Sequence, residues 1–157
     1  VSLAAINARE QAVLQQLIAR FGHASAERAL SGPGLVNLYQ AACSLSGQAP
    51  QPLAAADVIA GARSGNDPAC AEALDLFFGF LGSVAGNLAL TLGARGGVYI
   101  GGGIAPRLLP ELERSTFRER FEAKGRFRDY LAATPTWVIH ATVSPAFAGV
   151  ARALDAA

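Results

Sequence analysis

Apolar residues recur at three- and four-residue steps over the first turns of this chain. Ile6, Val13, Leu14, Leu17 and Phe21 share one face, which predicts an amphipathic helix over 6–21 that stops at Gly22. A short helical piece, SAERAL, starts at Ser25, a good N-cap. In LSGPGLVNLYQAA, Ser31 to Gly34 read as a turn, with a helix following to Leu45. A polar, proline-containing loop over 46–52 leads to a helix over 54–63. Asp67-Pro68 sets a cap before a proline at the first helical position, so the next helix runs through an apolar stretch to Leu92.

The period then changes. GVYI, Gly97 to Ile100, predicts a short buried strand that ends in Gly101, Gly102 and Gly103. IAPRLLPELERS predicts a helix opening directly after that turn. Two short helices follow, over 117–123 and 127–132, then a second strand over 136–141, TWVIHA. Ser144-Pro145 caps and starts a last helix to Leu154. Helices followed by strand, helices, strand and helix make an α/β pattern. Two strands are too few for a free-standing sheet, so they are expected to extend a sheet whose other strands are absent or weakly signalled. No internal repeat or low-complexity linker interrupts the pattern.

Composition narrows the function classes. Apolar residues make up 52% of the 157 positions, enough for a substantial core, and the net charge of +1 gives no reason to propose nucleic acid or an anionic membrane. Leu76 to Ala94 carries no charge and nearly matches the ~20 residues a bilayer needs. Gly82 and Gly86 add a small-xxx-small pair. Asn87, Ser83 and Thr91 interrupt the stretch, and a helix buried on all sides of a soluble domain reads the same way. Cys43 and Cys70 form neither a CxxC pair nor a metal cluster with the two histidines, which predicts free thiols in a reducing compartment. The start, VSLAAINAREQ, lacks a basic region before an apolar run and so does not read as a signal peptide.

Few residues offer chemistry. In GGVYIGGGIAP a strand runs into three glycines, where a ligand can approach bare backbone. The pattern is neither GxGxxG nor a P-loop, and a tight strand-to-helix turn explains it equally well. Glu27, in HASAERALSGPG, sits where a helix dipole favours a carboxylate, and Arg28 beside it is a candidate partner. His23 and Glu27 have a metal-ligand spacing, but a helix starting at Ser25 would keep them off one face. His140 in an apolar strand reads as a core or edge histidine. Asp57, Asp67, Asp75 and Asp129 fall on helix starts or polar faces. No Ser-His-Asp arrangement and no acid–base pair of carboxylates is present, so no catalytic group and no metal site is assigned.

The order of these segments resembles bacterial-type glucokinase, in the actin-like (ribonuclease H-like) sugar kinase superfamily. The resemblance rests on GHASAERALSGPGLVNLY, GNLALTLGARGGVYIGGGIAPRLLPEL and FRERFEAKGRFRDYL, and covers the chain from residue 4 onward. It implies that 1–157 is the helix-rich C-terminal (large) domain with an incomplete sheet, the long apolar helix being buried within it. The family's N-terminal phosphate motif, its general-base Asp and its second phosphate turn have no counterpart here, and its EGGH motif is expected immediately before Val1. By the same resemblance Glu27 contacts sugar hydroxyls, Gly101, Gly102 and Gly103 form the adenosine-binding turn, and Ser31 and Gly32 lie on the nucleotide side. The implied reaction is phosphorylation of glucose by ATP, with Mg²⁺, in a cytoplasmic enzyme that is a homodimer and needs no membrane or nucleic acid. The chain alone is expected to be inactive. The rival expectation is a non-catalytic oligomerisation or regulatory module that keeps the kinase fold.

Overall fold

The computed structural model describes residues 1–140 and 145–155. Helix α1 spans Ala8–Phe21 and begins later than the apolar spacing suggested, because Asn7 caps it by accepting the Glu10 amide at 2.8 Å. Ile6 therefore lies outside the helix and is exposed. Helix α2 spans Gly32–Leu45, α3 Ala55–Ser64 and α4 Pro68–Leu92. Asp67 caps α4 through the amides of Ala69 and Cys70, as Asp67-Pro68 predicts, and Gly93 ends it in the left-handed region. The Asp57 carboxylate accepts the Ala54 amide at the start of α3.

Helix α4 is the centre of the molecule. It packs against α2, α3 and α6 (Phe117–Glu122), and Phe77, Phe78 and Phe80 on it are buried. It is long and apolar enough to cross a membrane, yet 61% of its most apolar window is buried inside the protein. The small-xxx-small pair has a local use. A Cβ on Gly82 or Gly86 would fall on the carbonyl oxygens of Phe117 and Phe121, so these glycines let α6 lie directly on α4. Cys43 and Cys70 are free and buried, and burial with Asp67 nearby pushes the Cys70 thiol up to about 12, so it stays protonated.

One charged cluster is buried at the edge of this core. Arg120 of α6 donates to both carboxylate oxygens of Glu10 on α1 and, at 2.8 and 3.1 Å, to the Ser83 hydroxyl on α4. The two charged side chains are only 8% and 6% exposed. The pair ties three helices together across a sequence separation of 110 residues.

Strands β1 (Val98–Ile100) and β2 (Thr136–Val138) pair in parallel, with Tyr99 opposite Trp137. They form a two-stranded sheet among the described residues. This matches the incomplete sheet expected, although β2 ends at Val138 rather than running on, and Ala141 lies outside the described residues. His140 is consequently exposed beyond the strand end instead of packed in it. After β1, residues Ala105–Leu108 make a 3₁₀ turn, and α5 occupies only Leu109–Arg114. The expected α-helix directly after the glycines does not form. Pro110 lacks an amide hydrogen and its ring would clash with the carbonyl of Pro106, so the α-helix starts only at Leu109, with Pro110 in its first turn. A 3₁₀ turn at Gly125–Phe127 and α7 (Arg128–Ala132) precede β2, and α8 spans Pro145–Asp155. The proposed cap of α8, Ser144, lies outside the described residues.

Candidate functional site

The SAER segment is a single 3₁₀ turn, Ala26–Arg28, rather than the start of a longer helix, and the Ser25 side chain makes no capping bond to it. Its position comes from both flanks. On one side the chain start runs antiparallel to it: the Leu3 amide donates to Ala24 O at 2.9 Å and the Ala26 amide to Val1 O at 2.8 Å. On the other side α2 restarts the helix immediately. Ser31 is extended at the N-cap, its hydroxyl accepting the Gly34 amide at 3.0 Å, and Pro33 sits in the first turn where its missing N–H costs nothing. The expected Ser31–Gly34 turn is thus the helix start itself. Gly34 is a glycine for packing, since a Cβ there would lie 2.5 Å from the Ala29 carbonyl carbon.

This arrangement leaves Glu27 exposed at the rim of a hollow of about 290 Å³, with His23, Arg28, Ser31 and Asn37 around it. Arg28 does not pair with Glu27 as the sequence allowed. Its guanidinium lies over the Phe21 ring, 4.2 Å from the centroid. Glu27 is exposed, and no hydrogen bond or ion pair among the described residues engages its carboxylate. His23 shares the hollow, and no group of three or more His, Cys, Asp or Glu among the described residues is placed to hold a metal ion.

A second hollow, of about 330 Å³, opens beside it. Gly101, Gly102, Gly103, Ser31 and Gly32 all line it, with Phe77 of α4 at its apolar side. Two segments far apart in sequence, Ser31-Gly32 and Gly101–Gly103, therefore line one hollow, and Ser31 belongs to both hollows. The three glycines differ. Gly102 has φ +107°, a conformation that L side chains rarely adopt. Gly103 has no such backbone requirement, and a Cβ there would meet nothing within 4 Å. Gly101 would make only ordinary contact, 3.6 Å from Ile139 Cδ1. The helix N-terminus expected to face a ligand here is replaced by the 3₁₀ turn, so exposed backbone at the glycines is the available recognition element.

The family model for glucokinase matches residues 1–157, the full length of the chain. The chain belongs to the glucokinase family. It is 57% identical to a glucokinase of Aromatoleum aromaticum over 99% of this chain and 46% of that protein. It is 53% identical to a glucokinase of Nitrobacter hamburgensis over 91% of this chain and 44% of that protein. Among solved structures, a glucokinase from an Antarctic psychrotroph superposes with a TM-score of 0.86 at 38% identity, covering 90% of this chain and 44% of the other. The chain thus spans about half the length of the relatives it matches, and its helix-rich α/β architecture is that of the glucokinase fold.

Sequence reasoning missed the Glu10–Arg120–Ser83 cluster and the Asn37 side chain. Asn37 is buried on α2, and its amide donates to Arg28 O at 3.0 Å. A lone Asn inside LVNLYQ carried no signal beyond its polarity in an apolar run.

Proposed function

We propose that this chain forms one wall of a site at which the γ-phosphoryl group of ATP passes to glucose, giving glucose 6-phosphate and ADP. The observation that carries the reading is the pair of adjoining hollows: an exposed carboxylate, Glu27, faces one, and the bare glycine turn Gly101–Gly103 lines the other. Family membership supplies the substrates. Glu27 accepts hydrogen bonds from two sugar hydroxyls, a charge-assisted contact that fixes the sugar's orientation. The nucleotide's adenosine part lies along the glycine backbone, with Ser31 and Gly32 on the same side.

In this reading the sugar hydroxyl oxygen attacks the γ phosphorus, the bond from phosphorus to the β–γ bridging oxygen breaks, and ADP leaves. The hydroxyl proton goes to a carboxylate that this chain does not supply. Mg²⁺ arrives as part of the ATP substrate. The Ala26 amide donates to Val1 O, so the first residues of this chain lie beside the turn that carries Glu27. The enzyme is read as a cytoplasmic homodimer. The exposed aromatic pair Tyr99 and Trp137 supports burial of this sheet face in the assembled enzyme, and light scattering of the full-length protein tests the dimer.

The test is Glu27→Gln in the full-length enzyme. Charge-assisted hydrogen bonds contribute about 1.5–3 kcal/mol, so the KM for glucose should rise on the order of tenfold to a hundredfold. Stability should stay within about ±0.5 kcal/mol, as for a surface substitution. If KM and kcat are both unchanged, Glu27 is not a sugar contact. A coupled ADP assay on the isolated chain should show no glucose phosphorylation above the blank.

A further inference from the structure

We infer that Ser31 is a positioning residue for Glu27, acting through the backbone of the SAER turn, and that it does not bind nucleotide through its hydroxyl. This rests on the reading of Glu27 as the sugar contact. A serine hydroxyl has one hydrogen to give and two lone pairs. The Ser31 hydrogen is committed to the Glu27 carbonyl oxygen at 2.8 Å, and one lone pair takes the Gly34 amide at 3.0 Å. Nothing remains to donate to a phosphate oxygen, although Ser31 lines the glycine-turn hollow.

The other partners of the turn point the same way. Asn37, one and a half turns further along α2, donates to the carbonyl of the next residue, Arg28, at 3.0 Å. Two side chains of one helix therefore grip two consecutive carbonyls of a three-residue 3₁₀ turn. The turn has backbone bonds of its own, from Arg28 N to Ser25 O and from Ala29 N and Leu30 N to Ala26 O. The Glu27 and Arg28 carbonyls, however, are taken by these two side chains, so the orientation of those peptides, and with it the direction of the Glu27 side chain, depends on the external grips. The Asn37 grip is part-buried, while the Ser31 grip is exposed and stands at the boundary of the two hollows. Capping α2 and holding Glu27 are two tasks for one hydroxyl, and they can be separated.

The experiment uses the full-length enzyme. Glycine is an acceptable N-cap and costs only a few tenths of a kcal/mol against serine, so Ser31→Gly keeps the helix start but removes the donor to Glu27. Its melting temperature should stay within about 1 °C of the wild type. Its KM for glucose should rise about tenfold, the scale of one lost positioning contact, with kcat and the KM for ATP within about twofold. Ser31→Thr keeps the hydroxyl and should restore the wild-type glucose KM. A raised ATP KM with glucose KM unchanged would make Ser31 a nucleotide contact and overturn the inference. So would both constants staying at wild-type values, or both rising together with an early melt, the mark of a cap alone. Should Ser31→Gly not fold, Ser31→Cys, isosteric with a weak donor, is read against the same outcomes. Glu27→Gln runs alongside: a normal glucose KM in that variant removes the sugar reading itself and the inference with it, whereas a raised one with Ser31→Gly normal removes the inference alone.

Discussion

The glycines of α4 and the glycines after β1 are the same residue used for opposite ends. Gly82 and Gly86 are buried, and a Cβ on either would drive into the backbone of α6. Gly101 and Gly103 are exposed, and at Gly103 a Cβ would meet open space. The first pair is explained entirely by what the chain packs against. The second pair is not explained by anything this chain does to itself. That contrast separates the two halves of the molecule: a closed helical body of α1, α2, α4 and α6, and an open side where Glu27 and the glycine turn face two adjoining hollows. Residues of the body should show their worth in stability, and residues of the open side in ligand binding.

The body can be tested hardest at its buried ion pair. Arg120→Leu in the full-length enzyme leaves Glu10 buried without its partner and removes both bonds to Ser83. Breaking a buried pair from one side costs about 3–5 kcal/mol. Thermal melting should therefore fall sharply, and the Michaelis constants of whatever folded enzyme remains should not move. The double variant Glu10→Leu/Arg120→Leu should recover much of the loss, because no stranded charge is left. A single variant that melts like wild type would mean the cluster is not part of the closed body.

A milder probe asks the same question of a glycine. Gly82→Ala forces α6 away from α4 and should destabilise by about 1–3 kcal/mol, the range for overpacking a core. Its ATP and glucose constants should be unchanged, since Gly82 lies in neither hollow. Altered ligand constants with normal melting would erase the distinction between the two sets of glycines.

How much of this was legible depended on sequence distance. The bounds of α4 could be read because both signals are local: Asp67-Pro68 at one end and the end of the apolar stretch at the other. The strand and three-glycine turn were legible for the same reason. The Glu10–Arg120 pair was not, since nothing local to FRERFE distinguishes Arg120 from Arg118, which lies two positions away and bonds to Glu122 and to carbonyls around Leu131. Gly82 and Gly86 were visible as a spaced pair, but spacing alone fits a membrane interface and a soluble helix contact equally, and only the seat of α6 decides between them. The helix expected after Gly103 failed because apolar periodicity in IAPRLLPEL outweighed Pro110, which cannot sit in its interior. Glu27 and the glycine turn were found through family resemblance. Sequence physics alone left the glycine turn level with an ordinary turn and favoured a capping or solvated charge at Glu27, because a site's identity lies in what shares its hollow, and no local pattern carries that.

The finest test sits within the turn, where Gly102 and Gly103 are neighbours with different reasons to lack a side chain. Gly102 has φ +107°, so Gly102→Ala should cost about 1–2 kcal/mol of stability whatever its effect on nucleotide. Gly103 has ordinary backbone and open space, so Gly103→Ala should melt within about 0.5 kcal/mol of wild type. If the adenosine part of ATP lies along this backbone, the added methyl takes space that only the ligand uses, and the ATP constant should rise while the glucose constant stays. The two variants are compared in the full-length enzyme by melting temperature and ATP affinity side by side. The telling result is a stable Gly103→Ala that binds ATP poorly, because a fold requirement cannot produce it. A stable Gly103→Ala with normal ATP affinity would leave Gly102 as a turn residue, Gly103 as a neutral one, and the nucleotide assignment of this hollow without its support.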